Sequence, residues 1–337
     1  MKLFCKSILA ALAGSLLAGL ASATTLGEVK SRGELVCGVD GGLPGFSAPD
    51  DAGKMRGMDA DVCRAVAAAI FGKKAKVKYV NLTAKERFTA LSSGEIDMLS
   101  RNTTHTLTRD ASLGLDFTYY NYIDGQGFLV RKDLGVKSAK ELDGAKLCVQ
   151  QGTTTELNMA DYFRTNNMQF TPVGYESSVQ TREGFEKGSC DALTSDKSQL
   201  AAIRSELSQP DSATILPETI SKEPLGPVVR QGDAQWRDIV LWTLYALMNA
   251  EEYGVDSTNV DQMMKSTNPN VLRLLSVEGE SCQLLGLEAG CFANSIREVG
   301  HYGELYERNV APLGIGRAGS VNDLWTRGGL LYAPPIR

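Results

Sequence analysis

The chain has 337 residues, a formal net charge of −5, seven cysteines and two histidines. That length is natural for two lobes rather than one small core. The mildly acidic balance lacks a basic stripe, so nucleic acid and anionic membrane surfaces are excluded as expected partners, and two histidines argue against a His-rich metal centre. No cofactor and no metal is expected.

The elements follow in chain order. Lys2 and Lys6 precede an apolar run, Ile8 to Leu20, and Ala21-Ser22-Ala23 is a small-residue cleavage site. This pattern reads as a secretory signal peptide over 1–23, with the run too short for a comfortable membrane span. Cys5 sits before the run and is not a lipid-modified cysteine at a cleavage site. The exported chain then starts near Thr24, and loss of Lys2 and Lys6 moves the formal charge from −5 to −7.

Glu34 to Val39 is a strand that enters a Gly-rich loop, Asp40 to Gly45, and Asp59 to Phe71 is an amphipathic helix. Ala75 to Val80 is a strand, Ala84 to Ser93 a helix stopped by Gly94, and Ile96 to Leu99 the next strand. Strands that alternate with helices imply parallel βαβ units. The rhythm restarts at Ala145 to Gln150, a strand, followed by a turn at Gly152 and a helix from Thr155 to Asn166. Ala192 to Thr194 is a short strand before a helix from about Ser198 to Leu207, and Trp236 to Tyr253 is a long amphipathic helix.

The stretch Asp97 to Arg109 carries the first functional signal. Its apolar strand end, Met98-Leu99, runs into Asn102-Thr103-Thr104 and ends on a fixed cation, Arg109. A guanidinium matches a carboxylate bidentately, and neighbouring hydroxyls and free backbone N–H groups complete an oxygen shell. The bland alternative is a turn with a surface Arg. A second polar loop, Gln151-Gly152-Thr153-Thr154, precedes a helix in the later half. Helix N-termini present unpaired N–H groups and partial positive charge, which suit a carboxylate. A capping box between Thr153 and Glu156 is the structural alternative there.

Six cysteines remain after cleavage, an even number in an oxidising compartment, and six allow fifteen pairings. Strand and helix placements favour Cys37–Cys63, Cys148–Cys190 and Cys282–Cys291. No C-x-x-C, G-x-S-x-G, H-E-x-x-H or Walker loop occurs.

Several motifs in order carry a family resemblance. Gly57-Met58-Asp59-Ala60-Asp61-Val62 fits a G-x-D-x-D signature entering a helix, with Met58 and Ala60 slight departures from its usual choices. Thr83 to Phe88, Leu91 to Asp97, Gln151 to Glu156 and Glu223-Pro224-Leu225-Gly226 follow in the same order. The chain resembles a family 3 solute-binding protein, the periplasmic receptor of an ABC-type amino-acid importer, over about residues 30 to 255. The tail, with Tyr302 to Arg308 and Gly328 to Pro335, resembles the longer general L-amino-acid-binding subgroup.

The resemblance implies an α/β, two-lobed periplasmic-binding-protein type II fold. Each lobe is then a mostly parallel sheet with helices on both faces. Lobe 1 would be 24–122 plus 226–337 with its C-terminal extension, and lobe 2 would be 123–225. The ligand binds in the crevice between lobes. Arg109 would hold the ligand α-carboxylate with Thr104, Thr153 and Thr154 as further donors, Asp196 and Asn102 would receive the α-ammonium, and Phe46 would face the side chain. An ordinary helix N-cap is the alternative reading of Asp196. Asp59 and Asp61 more naturally organise a helix start than bind metal. His105 is read as capping its loop. The implied partners are free L-amino acids and inner-membrane permease subunits, with a monomeric, non-enzymatic receptor. The alternatives are a periplasmic dehydratase on the same fold, which needs a positioned acid/base, and an amino-acid chemosensory receptor.

Overall fold

Leu35 to Val39 (β1) is apolar along its whole length and buried on both faces, as a central strand requires. It lies at the heart of the first sheet of the computed structural model, which describes residues 24–337. The expected signal peptide, 1–23, and its cleavage site lie outside the described residues.

The first sheet has the order β2 (Val77–Asn81), β1, β3 (Met98–Leu99), β12 (Val228–Arg230), β4 (Leu115–Phe117). The hinge ribbon pairs β5 (Tyr122–Asp124) with β11 (Glu223–Leu225). The second sheet has the order β8 (Phe170–Tyr175), β7 (Ala145–Gln150), β9 (Ala192–Asp196), β6 (Gln126–Arg131), β10 (Ala213–Ile215). Both sheets are mixed but mostly parallel, with four of the five strands in each running one way and one running against them. β1 pairs in parallel with β2 and β3, and β7 with β8 and β9, whereas β12 and β6 are antiparallel to both of their neighbours. The reason is the route of the chain. Parallel strands finish at the cleft, while β6 and β12 start beside the hinge and must run away from it.

Helix α1 is Thr25–Arg32, and α2, Met58–Phe71, is buried along almost its whole length. Its alanines let α9 (Cys291–Val299) approach closely enough for Ser295 Oγ to donate to the Ala65 carbonyl at 2.7 Å. Gly57 before α2 has φ 121°, and a Cβ there would lie 2.2 Å from the Phe46 main chain. Only glycine allows that crossing, which accounts for the first letter of the signature. Asp59 does not cap its helix. It accepts from Ser100 Oγ at 3.0 Å, Asn102 N at 2.8 Å and Asn121 Nδ2 at 2.9 Å, so it tethers the 100–104 loop to the hinge approach. Asp61 binds Arg64, Arg308 and Asn309.

The three disulfides join Cys37 to Cys63, Cys148 to Cys190 and Cys282 to Cys291. They staple β1 to α2, β7 to the approach of β9, and the loop ahead of α9.

The long helix, Ala234–Glu252 (here α8), and α10 (Tyr302–Asn309) carry the C-terminal extension onto the first sheet. This extension grips the hinge. Asn322 accepts from Ile123 N at 2.7 Å and donates to Ile123 O at 2.8 Å, acting as a one-residue partner for β5. Tyr302 Oη donates to Asn121 O at 2.8 Å. Arg317 makes a bidentate pair with Glu251 at 2.6 and 2.9 Å, lies over the rings of Tyr302 and Tyr306, and donates to Asn322 O. Both partners of that pair are 6% exposed at their side chains. Arg317→Met leaves the Glu251 carboxylate buried without its main partner, and the expected loss is about 3 kcal/mol. Urea unfolding of parent and variant measures it, and an unchanged midpoint contradicts the assignment.

Candidate ligand-binding site

The two sheets end on a common cleft. From the first lobe come the 100–104 loop, α3 (Arg87–Ser93) and α4 (Leu107–Ser112). From the second come the N-terminus of α5 (Thr154–Thr165), the end of β9, α6 (Ser178–Glu186) and α7 (Lys197–Ser205). The lobes touch directly. Thr104 and Thr154 hydroxyls are 3.2 Å apart, Asn102 Nδ2 donates to Gln199 Oε1 at 3.0 Å, and Ser178 Oγ donates to Asp40 Oδ1 at 2.7 Å. Lys85 Nζ reaches Gln151 Oε1 at 2.8 Å. About 10 Å³ is left in the inner cleft, lined by Arg87, Arg101, Asn102, Thr104, Gln150, Thr153–Thr155, Ser195, Asp196 and Gln199. A more open space of about 220 Å³ adjoins it at Arg101, between Asp40 and Thr83 on one lobe and Ser177–Val179 on the other. The inner space is too small for an amino acid, so occupying it requires the lobes to part.

Asp196 is the electrostatic focus. It is 4% exposed and makes no cap bond to α7, so the ordinary N-cap reading does not apply. Among the described residues its Oδ1 has no hydrogen-bond partner. Asp124 takes over the capping, accepting from Ser198 N at 3.1 Å. A buried acceptor without a donor costs about 1–3 kcal/mol, more when charged. Burial, then Asp124 and Glu223, push the Asp196 carboxyl well above the usual range, while Arg109 and Arg87 pull it back.

Arg109 is 8% exposed and is not among the residues that line the cavity. Thr106 caps its short helix, accepting from Arg109 N at 3.3 Å. Its Nη1 donates to the Thr104 carbonyl at 2.8 Å, and its guanidinium lies 5.2 Å from the Phe88 ring centroid. Burial draws its pKa down to about 10, against the pull of Glu223 and Asp196, so it remains cationic at neutral pH.

Two further arginines were missed by the sequence reading. Arg87 is 2% exposed, lies 4.8 Å from the same Phe88 ring, donates to Arg101 O and Thr103 Oγ1, and has an unpartnered Nε. Burial, then Arg109 and Arg101, lower its pKa well below the usual value. Arg101 donates to Leu82 O at 2.8 Å and pairs with Asp40. The available cue was an Arg in each of two motifs already singled out, Thr83–Phe88 and Asp97–Arg109.

The remaining expected residues divide. Asn102 lines the cavity with φ 34°, a left-handed conformation that Asn tolerates. Its Oδ1 faces Arg101 and its Nδ2 faces Gln199. Thr154 lines the cavity, and its hydroxyl donates to Glu223 Oε2 at 2.9 Å. The Thr153 hydroxyl is committed to its helix, accepting from Glu156 N and donating to Gln150 O. Glu156 turns back to Gly152 N at 3.0 Å rather than to Thr153.

Phe46 is a correction. The structure buries it, 1% exposed, in the first-lobe core against Tyr122, with ring centroids 5.6 Å apart. The tight crossing at Gly57 holds the Phe46 main chain under α2, so its ring turns inward and does not line the cleft. His105 stacks on Phe117 at 4.3 Å, beside rather than inside the cavity.

Comparison with known proteins gives the family. Residues 35–255 match the Bacterial extracellular solute-binding proteins, family 3. The chain is 55% identical over 325 residues to the General L-amino acid-binding periplasmic protein AapJ of Rhizobium johnstonii, covering 95% of each. It is 53% identical to the Glutamate/glutamine/aspartate/asparagine-binding protein BztA of Rhodobacter capsulatus, covering 96% of each. An ABC transporter periplasmic binding protein from Brucella ovis, solved with glutathione bound, superposes with a TM-score of 0.90 at 52% identity. That match covers 94% of this chain and 100% of the other. The chain is a bacterial amino-acid-type solute-binding protein, and it belongs to family 3.

The raised carboxyls fix a pH dependence. Burial lifts Asp124 to about 6 and raises Asp196 well above the usual carboxylate range. The shut, unliganded fold therefore holds protons that the unfolded chain has released, so this contribution to its stability is full at low pH and falls as pH rises through about 6. Ammonium binding has the opposite sign, because it needs an ionised Asp196. Affinity should rise as pH rises, with proton release on binding, because burial holds the Asp196 carboxyl well above the usual range. Calorimetric titration in two buffers of different ionisation enthalpy reads the proton count, and proton uptake would contradict the scheme.

Proposed function

We propose that this protein captures free L-amino acids between its two lobes and delivers them to an ABC-type permease in the inner membrane. The working jaws are residues 24–122 with 226–337 on one side and 123–225 on the other. The unpartnered Asp196 Oδ1, aimed into a shut cleft beside buried arginines, is the observation that carries the reading. The α-ammonium supplies the donor that Asp196 lacks. The α-carboxylate takes the guanidinium of Arg109, the Thr104 loop and the N-terminus of α5. These groups read the part common to all amino acids, which suits a broad receptor.

The side-chain end of the ligand meets Arg87 and Arg101. The free Nε of Arg87 favours ligands that bring a further oxygen, so carboxylate and amide side chains should rank first. The BztA relative, a glutamate/glutamine/aspartate/asparagine-binding protein, is consistent with that order. Periplasmic residence, cleavage after Ala23 and a monomeric state complete the proposal. In this state the Asp40–Ser178 and Thr104–Thr154 contacts close the mouth, presenting one joint surface to the permease.

Calorimetric titration of the twenty L-amino acids tests the reading. Removing one partner of a buried, hydrogen-bonded charge pair costs about 2–5 kcal/mol, and each tenfold in affinity is about 1.4 kcal/mol. Arg109→Ala and Asp196→Asn should each weaken every accepted ligand by roughly thirtyfold or more, with the ranking preserved. Variants that bind several amino acids as tightly as the parent would remove these two residues from the site.

A further inference from the structure

Glu223 opens the hinge strand β11, is 1% exposed and stands opposite Asp124 in the ribbon. Its carboxylate accepts four hydrogen bonds. Oε2 takes Thr104 Oγ1 at 2.6 Å and Thr154 Oγ1 at 2.9 Å, while Oε1 takes Ser221 Oγ at 2.6 Å and Asn158 Nδ2 at 2.7 Å. Thr104 belongs to the cleft loop of the first sheet. Thr154 and Asn158 belong to the start of α5, on the second. Glu223 itself does not line the cavity.

We infer that Glu223 is a closure-sensing positioning residue: it clasps Thr104 and Thr154 from opposite lobes to one hinge oxygen and thereby sets how long a ligand is held. The inference rests on the receptor reading above.

The geometry supports this in three steps. A carboxylate is an acceptor with about four lone-pair directions, and here all four are filled by donors. Bonds to a charged acceptor are stronger than neutral ones. Thr104 and Thr154 share Oε2 only because their hydroxyls are 3.2 Å apart. When α5 swings away from the 100–104 loop, one of them must leave. The clasp therefore stabilises the shut arrangement and not the open one, which is what moves a two-state equilibrium. The same Thr104 offers its carbonyl to Arg109 at 2.8 Å, so the hinge carboxylate also registers the cationic ligand contact.

Glu223→Gln keeps the shape and replaces one acceptor oxygen with a donor. With L-glutamate as the probe, calorimetry and stopped-flow titration of the full exported chain should give an affinity about tenfold weaker, with nearly all of the change in the dissociation rate. In the unliganded protein, Thr104→Val added to Glu223→Gln should expand the radius of gyration little beyond the first change, because both break one contact. Small-angle scattering of the unliganded variant should show a larger radius of gyration than the parent. An unchanged dissociation rate, or full additivity of the two substitutions, overturns the clasp. Should Glu223→Gln fail to fold, Thr154→Val tests the same contact from the other lobe without ligand: a larger radius of gyration than the parent supports it and an unchanged one overturns it. The scattering comparison needs no ligand. A parent that binds no amino acid while Glu223→Gln still expands defeats the receptor reading and leaves the clasp supported.

Discussion

A carboxylate buried without a donor is the constraint on which the cleft is organised. Asp196 is placed at the end of β9, where a helix follows and where a capping bond would ordinarily satisfy it. Asp124 does the capping instead, and Asp196 Oδ1 is left facing the gap between the lobes. Three guanidiniums gather on the other side, with Arg87 and Arg109 sharing the face of one phenylalanine. Each of these groups carries a desolvation cost in the shut state, and none can relieve it alone. A zwitterion supplies the missing donor and the missing acceptor together. Binding energy and lobe closure are then the same event: desolvation strengthens the charge contacts, and the contacts offset the desolvation.

The hinge translates this local chemistry into motion. Its ribbon is only three residues wide on each strand, so its position has to be held by others. Asp59 reaches Asn121 from the signature helix, Asn322 pairs with Ile123 from the C-terminal extension, and Tyr302 meets Asn121 O. The extension is thus a brace for the first-lobe end of the crossing rather than an appended surface. On the proposed reading the second lobe swings against that braced end, with Glu223 at the pivot.

Much of this was legible in the sequence, and the misses have physical reasons. The βαβ rhythm, its half-way restart and the polar loops after Leu99 and Gln150 pointed to two lobes, and the family resemblance added Asp196 and the shared cleft. In the structure Thr104, Thr154 and Asp196 line one cavity, with Arg109 bonded to the Thr104 carbonyl. Mixed sheets were not legible, because the direction of β6 and β12 depends on where the chain re-enters each lobe. β8 and α6 escaped because Phe170–Tyr175 is only partly buried and contains Pro172 and Gly174. Phe46 was misplaced since an aromatic in a Gly-rich loop looks alike whether it faces a cleft or a core. Gly57 decides the matter, through a contact with Phe46 that only three dimensions reveal. Arg87 and Glu223 were read as parts of motifs but not as chemistry, because their partners lie far away in sequence.

The central claim is that the ligand ammonium completes Asp196. A crystal structure of the protein with a bound L-amino acid tests it most directly. The account predicts the α-nitrogen within hydrogen-bonding distance of Asp196 Oδ1 and the α-carboxylate against Arg109 and the start of α5. A bound amino acid whose nitrogen lies elsewhere, with Asp196 Oδ1 still lacking a partner, would contradict it.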